Sequence, residues 1–235
     1  MSAPWEDPRV REGLPIQLAA RRRMIDGGAR PIGWKVGFGA PAALELMQIT
    51  APLLGFLTDR TVLEPGASVD ATGWERGIVE FEVVVVCGSD LGPGASDDEA
   101  RAAISSVGPA IELANIDLPI QPDQVSGIVA GDIFHEGLVF GTMDDARAGL
   151  DIEGLVARIL VDGHERAAVT ELEALTGPYP WIVSTVASTL AAHGEALKAG
   201  DVIITGSVIP PIPVTEGTEF TFALDPFEPI SVRVR

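Results

Sequence analysis

Two glutamates stand two positions apart in the apolar segment 78–87. Because side chains of a β-strand repeat every second residue, Glu80 and Glu82 point to the same face, roughly 7 Å apart along the strand. If that face is interior, two unpaired carboxylates are costly unless a cation lies between them or one is protonated. Carboxylate oxygens suit Mg²⁺, Mn²⁺ or Ca²⁺, whereas zinc would be expected to recruit His or Cys.

A third glutamate, Glu112, interrupts the apolar segment 109–114. Three carboxylates would leave about half of an octahedral shell for water or substrate oxygens, as a catalytic metal requires. The alternative is structural: Glu80 and Glu82 would then lie on the wet face of an edge strand, and Glu112 would form a salt bridge. Spacing alone leaves both interpretations open.

Lys35 is one of only two lysines, the other being Lys198, and it stands in the segment Gly-Trp-Lys-Val-Gly at 33–37. The flanking glycines allow close approach of the backbone. An amine near the metal cluster could transfer protons or bind a carboxylate. A surface lysine whose stem packs on Trp34 explains the local sequence equally well.

Composition narrows the class of partner. The chain has 34 Asp+Glu against 16 Lys+Arg, a net charge of −18, which argues against a nucleic-acid partner. No segment approaches the roughly 18 apolar residues of a membrane span, and the start of the chain lacks the core of a signal peptide. We therefore expect a soluble cytoplasmic protein. Cys87 is the only cysteine, which excludes a disulfide framework and a thiolate metal site.

The elements that must position these residues form a β-rich pattern of short segments separated by Gly and Pro. We predict an N-terminal arm over 1–30 and a single catalytic domain over 31–235. Strands are predicted at 32–38, 78–87, 109–114, 156–161 and 166–169, with three more in 201–235. Helices are predicted at 41–48, 97–106 (capped by Ser96 and Glu99) and 180–193. Residues 50–59 are predicted to form a loop that could act as a lid, and Asp162-Gly163 an antiparallel hairpin.

Four segments in order resemble a known family: Gly33-Trp34-Lys35-Val36-Gly37, Glu80-Phe81-Glu82, Ile111-Glu112-Leu113, and the run from Leu197 to Ser207. Over about 30–235, the chain resembles the 2-keto-4-pentenoate hydratase and 4-oxalocrotonate decarboxylase branch of the fumarylacetoacetate hydrolase superfamily. The resemblance implies an α+β, β-rich fold, a mixed β-roll with a few flanking helices. It also favours the metal interpretation.

Site residues follow from the resemblance by position. It implies that Mg²⁺ or Mn²⁺ is held by Glu80, Glu82 and Glu112, and that Lys35 lies in the active site. The family's pocket-lining Thr-Gly pair falls on Thr205 and Gly206, and we add Ser207 and Phe38 as substrate-binding candidates. The aspartate of the family's A-D-N-A-S-S-G stretch falls on Asp132.

The chain departs from the family pattern after this aspartate. Where the hydratases have Asn, Ala and two Ser, this chain has Ile133, Phe134, His135 and Glu136. A His-Glu pair could activate water, since histidine titrates near neutrality. Adjacent residues of a strand point to opposite faces, so the pair can act together only if the segment turns. We name His135 as a catalytic candidate beside Lys35 and Asp132, and a merely structural role for His135 is the alternative.

The leading functional hypothesis is a metal-dependent hydratase that adds water to a 2-hydroxyalka-2,4-dienoate or 2-oxo-enoate from aromatic catabolism. Its partner would be a small 2-oxo or 2-enol carboxylate, and the resemblance implies a homo-oligomer. One alternative keeps the metal and breaks a carbon–carbon bond, as a 2-oxo acid decarboxylase or acylpyruvate hydrolase. Another is a non-catalytic homologue or partner subunit, although a decayed site would be free to lose its buried charge.

Overall fold

In the computed structural model, which describes residues 3–235, thirteen strands form two sheets that pack against each other. In chain order the strands are β1 (Pro31–Gly37), β2 (Leu53–Thr58), β3 (Val62–Leu63), β4 (Ala67–Val69), β5 (Gly77–Cys87), β6 (Ile104–Asn115), β7 (His135–Phe140), β8 (Val156–Val161), β9 (His164–Val169), β10 (Val202–Ser207), β11 (Ile212–Pro213), β12 (Glu219–Asp225) and β13 (Ile230–Val234). The larger sheet has the order β2-β1-β10-β5-β6-β7-β3, with β11 beside β5, and the smaller has the order β4-β13-β12-β8-β9.

Five helices flank the sheets in the described part of the chain: α1 (Pro8–Asp26), α2 (Pro41–Met47), α3 (Asp97–Ala103), α4 (Val125–Ala130) and α5 (Tyr179–Ala192). The predicted cap of α3 is confirmed, because Ser96 and Glu99 satisfy each other's backbone N–H groups. None of the helices described is both long and apolar enough to cross a membrane.

One face of the larger sheet collects the polar residues found in the sequence. Lys35 on β1 pairs with Ile204 on β10, and Ile204 pairs with Val84 on β5. Glu80 pairs with Glu112 on β6. Residues paired across strands share a face, so Lys35 and the three glutamates project from the same side of the sheet. The same face carries a small apolar cluster of Leu57, Val84, Ala110, Leu138 and Ile204.

The opposite face of β5 packs on the smaller sheet. Phe81 on β5 meets Phe222 on β12 edge to face, with ring centroids 5.7 Å apart. Both rings are fully buried. Alternation along β5 therefore sends Phe81 into the core between the sheets and its neighbours Glu80 and Glu82 to the other side.

A buried side-chain amide joins helix α1 to β2 and α4. Gln17 donates to the carbonyls of Leu54 on β2, at 2.9 Å, and of Val129 on α4, at 2.6 Å. Leu14 and Leu18 on the same helix are also buried in the core. The division into an arm over 1–30 and a domain over 31–235 stays a prediction, but α1 packs on α4 and β2.

Most predicted elements are confirmed, including the antiparallel hairpin of β8 and β9 around Asp162-Gly163. The predicted loop and lid at 50–59 are wrong, because β2 fills most of this segment and all six of its residues are buried. The predicted helix at 97–106 ends at Ala103, and β6 begins at Ile104, ahead of the predicted strand at 109–114. Proline and glycine are typical of loops, but here Pro52 precedes a buried strand and Gly55 lies within it.

Replacing Gln17 by Met is expected to lower the free energy of unfolding by about 1–3 kcal/mol, because two buried carbonyl groups lose their donor. Urea denaturation measures this change. Gln121→Met is the matched control, since Gln121 is exposed. Equal stability of the two variants would contradict a bridging role for Gln17.

Candidate active site

Three glutamates converge on the face of the larger sheet that also carries Lys35. Glu80, Glu82 and Glu112 each offer one carboxylate oxygen, and these oxygens lie within 4.8 Å of one another. Glu82 and Glu112 are buried, and Glu80 is half-buried. The spacing of β5 and its register with β6 produce this convergence, since Glu80 and Glu112 are direct cross-strand partners.

The two carboxylate oxygens of Glu112 lie in different environments. Oε1 accepts hydrogen bonds from the Lys35 ammonium and pairs with Nδ1 of His135 at 2.7 Å. Oε2 is buried and has no hydrogen-bond partner among the described residues. A buried carboxylate oxygen without a donor is costly, and a cation beside it removes that cost. This oxygen and the neighbouring carboxylates fit a hard divalent cation such as Mg²⁺ or Mn²⁺.

The protonation states follow from burial and charge. Burial, together with the charge of Glu112, raises the pKa of Glu80 to about 7 and that of Glu82 well above its usual value. Burial also disfavours the charged form of Glu112, but Lys35 and His135 outweigh it and lower its pKa to about 2. Likewise, burial opposes the charge on Lys35, yet Glu112 and Asp132 raise the pKa of its amine. Near neutral pH the site thus contains a buried ammonium and a buried carboxylate.

Lys35 occupies space that is free because Gly55 has no side chain. A Cβ on Gly55 of β2 would lie 2.6 Å from Cγ of Lys35 and 2.9 Å from an oxygen of Asp132. Gly55 is the cross-strand partner of Lys35. The Lys35 ammonium also donates to the carbonyl of Ile133 at 2.9 Å. Lys35 is therefore held in one position between β2 and the turn that follows α4.

That turn has an unusual backbone. Asp132, Ile133 and Phe134 all adopt positive φ angles, of 59°, 52° and 64°. Residues with a Cβ disfavour this region, and such conformations concentrate at functional sites. The turn aims the Ile133 carbonyl at Lys35, and Asp132 accepts the backbone N–H of Phe56 at 2.8 Å. Burial raises the pKa of Asp132 to about 8, so its carboxyl group is largely protonated at neutral pH.

A cavity of about 460 Å³ opens above this cluster. Lys35 and Glu80 supply its charged lining. Its walls are mostly apolar and include Phe38 and Phe134, whose rings meet edge to face with centroids 6.4 Å apart. This volume suits a small organic ligand, with polar groups at one end to fix its orientation.

The structure brings most of the predicted substrate-binding residues to this cavity. Phe38, Gly206 and Ser207 line it. The N–H of Gly206 donates to Glu82 at 2.6 Å, while the Ser207 hydroxyl contacts the backbone of Phe81. Thr205 is the exception, because its hydroxyl donates to the carbonyl of Val83 at 2.9 Å and the residue does not line the cavity. Ile204 faces the site beside Lys35 and Val84, so alternation along β10 sends Thr205 to the opposite face.

His135 and Glu136 do not form a pair. The side chain of His135 is buried, with Nδ1 at Glu112 and Nε2 2.9 Å from the hydroxyl of Thr61. Glu136 is exposed. Because β7 begins at His135, alternation along the strand separates the two side chains. Both ring nitrogens of His135 are thus already engaged in contacts that orient Glu112.

Sequence reasoning missed three features: Gly55, Thr61 and the Ile133 carbonyl. Gly55 carries a weak signal, since an isolated glycine within an apolar run can mark close backbone approach. Thr61 and the carbonyl carry no sequence signal, because their roles depend on how β2, β7 and the turn meet.

Comparison with known proteins identifies the family. Residues 36–234 match the model of the fumarylacetoacetate (FAA) hydrolase C-terminal domain. The chain belongs to the fumarylacetoacetate hydrolase family. The mixed β-roll with flanking helices expected from the sequence is confirmed by this match and by the structural neighbours.

Two relatives and one solved structure illustrate the likeness. The chain is 28% identical to a 2-hydroxyhexa-2,4-dienoate hydratase of Comamonas testosteroni, covering 92% of this chain and 83% of that protein. It is 27% identical to a 4-oxalocrotonate decarboxylase of a Pseudomonas species, over 88% and 80% of the two chains. The structure of a Pseudomonas putida G7 4-oxalocrotonate decarboxylase with magnesium and adipate superposes with a TM-score of 0.83, at 27% identity, over 93% and 83%. These relatives are enzymes, and this family member is an enzyme as well.

Replacing Glu82 by Ala is expected to weaken Mn²⁺ binding more than about 100-fold, since loss of a direct ligand exceeds the 10–100-fold effect of outer contacts. Isothermal titration calorimetry measures the affinity. Glu136→Ala is the matched control, because Glu136 is exposed and lies outside the cluster. Tight Mn²⁺ binding by the Glu82→Ala variant would exclude the three-glutamate site.

Divalent-cation affinity is expected to rise with pH. Because the pKa values of Glu80 and Glu82 are raised, the cation must displace protons at pH 6 that are partly absent at pH 8. Affinity should then change by about tenfold per pH unit for each proton displaced below the pKa. Titrations with Mn²⁺ at pH 6, 7 and 8 test this. A pH-independent affinity would contradict the raised pKa values.

Proposed function

We propose that the protein is a metal-dependent hydratase that adds water to a 2-hydroxyalka-2,4-dienoate or the equivalent 2-oxo-enoate. The observation that carries the proposal is the cluster of Glu80, Glu82 and Glu112 beside the Lys35 ammonium, at the floor of an apolar cavity. Similarity to a hexadienoate hydratase over most of both chains supports the same reaction.

The three glutamates would hold Mg²⁺ or Mn²⁺, with Glu112 using the oxygen that Lys35 and His135 leave free. When bound, such an ion supplies Lewis-acid polarisation of the substrate's 2-oxygen and neutralises charge that develops there. His135 is then a positioning residue, since its contacts with Glu112 and Thr61 fix the orientation of that carboxylate.

Lys35 and Asp132 would move the protons. Ketonisation removes the enol proton and adds a proton to carbon, after which water adds at C4 of the 2-oxo-3-enoate and a proton at C3. The Lys35 ammonium can donate a hydrogen bond to the developing enolate oxygen. Asp132 does not line the cavity, so its protonated carboxyl group, with a pKa of about 8, would supply a proton by way of the neighbouring Lys35.

Acylpyruvate hydrolysis on the same scaffold needs a base that activates water at the remote carbonyl. His135 and Glu136 were the sequence candidates for that base. His135 contacts Glu112 and Thr61 through its two nitrogens, and Glu136 faces solvent. The geometry therefore favours hydration, for which a water base of this kind is not required.

With Mg²⁺ present, 2-hydroxypenta-2,4-dienoate and 2-hydroxyhexa-2,4-dienoate are expected to be converted to 4-hydroxy-2-oxo acids. Mass spectrometry detects the added water. An acylpyruvate and a 2-oxo-3-enedioate assayed in parallel would release pyruvate or CO₂ if the protein catalysed one of the rival reactions. Hydration of neither dienoate would contradict the proposed function.

Lys35→Met should lower kcat/KM by about 10²–10⁴-fold, the usual contribution of a proton-transfer group. The matched control is Lys198→Met, because Lys198 is the other lysine and its partner Asp90 is on the surface. Circular dichroism and Mn²⁺ titration show whether the Lys35 variant is folded. A folded variant with full activity would remove Lys35 from the mechanism.

A further inference from the structure

The cavity has charge at only one end. Of the described residues that line it, only Lys35 and Glu80 are ionisable. The polar side chains among the rest are Thr176, whose hydroxyl contacts the carbonyl of Gly177, and Ser207, whose hydroxyl contacts Phe81. The remaining side chains of the lining are apolar, among them Phe38, Leu46, Ile116, Ile120, Phe134 and Ile209.

The apolar lining continues to the surface. Leu46 on α2 is 55% exposed, one of few large apolar side chains in the described chain that face solvent. It lines the cavity together with Ala42 and Ala43 of the same helix. A hydrocarbon chain that extended from the polar floor to this end of the cavity would contact this leucine.

The arginine beside the cavity is not available to it. Arg76 lines a second cavity of about 540 Å³, and Ile78 and Ile116 line both cavities and separate them. The Arg76 guanidinium donates to the carbonyls of Ile116, at 3.2 Å, and Leu118, at 2.7 Å. A second carboxylate on a ligand too short to reach the opening at Leu46 would therefore lie against apolar walls without a cation beside it, which is strongly unfavourable.

We propose that this cavity selects monocarboxylates with a hydrocarbon tail and rejects dicarboxylates of the same length. The inference rests on the proposed function, since it assigns the substrate's 2-oxo acid end to the Lys35 and Glu80 floor. It distinguishes this chain from its relative whose structure holds adipate, a dicarboxylate. The substrate class is then a 2-hydroxydienoate that ends in an alkyl group.

Binding of non-reacting acids tests the inference apart from catalysis. The pair 2-oxohexanoate and 2-oxoadipate has six carbons each and differs only in the terminal methyl or carboxylate. In calorimetry with the Mg²⁺-loaded protein, 2-oxohexanoate is expected to bind at least about 30-fold more tightly, because a buried unpaired charge is disfavoured. Equal binding, or tighter binding of 2-oxoadipate, would overturn the inference even if the protein is a hydratase. The expected preference without hydration of any dienoate would sustain the inference and reject the proposed function.

Titrations at several salt concentrations distinguish selectivity of the cavity from an effect of the protein's net charge. The net charge of −18 repels a dianion more than a monoanion at long range, and salt screens that repulsion. The preference for 2-oxohexanoate should persist between 0.05 and 0.5 M NaCl, conditions that span a Debye length from roughly 14 to 4 Å. Its disappearance at high salt would assign the selectivity to net charge and overturn the role of the cavity.

Two substitutions test the residues themselves. Ile120→Arg places a cation on the apolar wall, so the affinity ratio of 2-oxohexanoate to 2-oxoadipate should fall at least about tenfold. Leu46→Ala should reduce the gain in affinity per added methylene, which is about fourfold where the methylene is buried. Ile16→Arg and Ile16→Ala are the controls, since Ile16 on α1 is 54% exposed and lies outside the lining. Ratios identical to those of the Ile16 controls would overturn the assignment.

Discussion

The buried contact between the Lys35 ammonium and the Glu112 carboxylate holds the site together. One cation faces four carboxyl groups, of Glu80, Glu82, Glu112 and Asp132. It stabilises the charge of Glu112, and burial then favours protonation of the other three carboxyl groups. A divalent cation changes this balance, because it supplies the positive charge that the protein itself lacks. The proposed metal binding and proton transfer would both depend on this shortage of positive charge.

The backbone positions the reactive groups as much as side-chain packing does. The left-handed run from Asp132 to Phe134 presents one carboxyl group, one carbonyl and one aromatic ring in succession. Gly55 leaves the space that Lys35 and Asp132 occupy. Gln17 ties together the two elements, β2 and α4, that flank this space. The positions of the reactive groups are thus fixed by contacts far apart in the sequence.

Features that depend on local periodicity were predictable. The shared face of Glu80 and Glu82 follows from strand alternation, and the cap of α3 follows from Ser96 and Glu99. Features that depend on register or on strand contacts were not. Thr205 points away because the pairing of Ile204 with Lys35 and Val84 leaves the opposite face to Thr205. Strand β2 was mistaken for a loop because Gly55 makes space for Lys35 and Asp132 and does not form a turn. The pairing of His135 with Glu112 required knowledge of where β7 begins.

The order of strands has a consequence for synthesis on the ribosome. Strand β10 lies between β1, which carries Lys35, and β5, which carries Glu80 and Glu82. The lysine and these two acids are therefore brought together only after the residues of β10 have been made, some 120 positions beyond Glu82. Until then β1 and β5 lack the strand that joins them in the folded sheet, because pairings between distant segments form only when both segments are present. The glutamates of β5 and β6 can therefore meet during synthesis well before Lys35 joins them, and the ion pair between Lys35 and Glu112 must wait for β10.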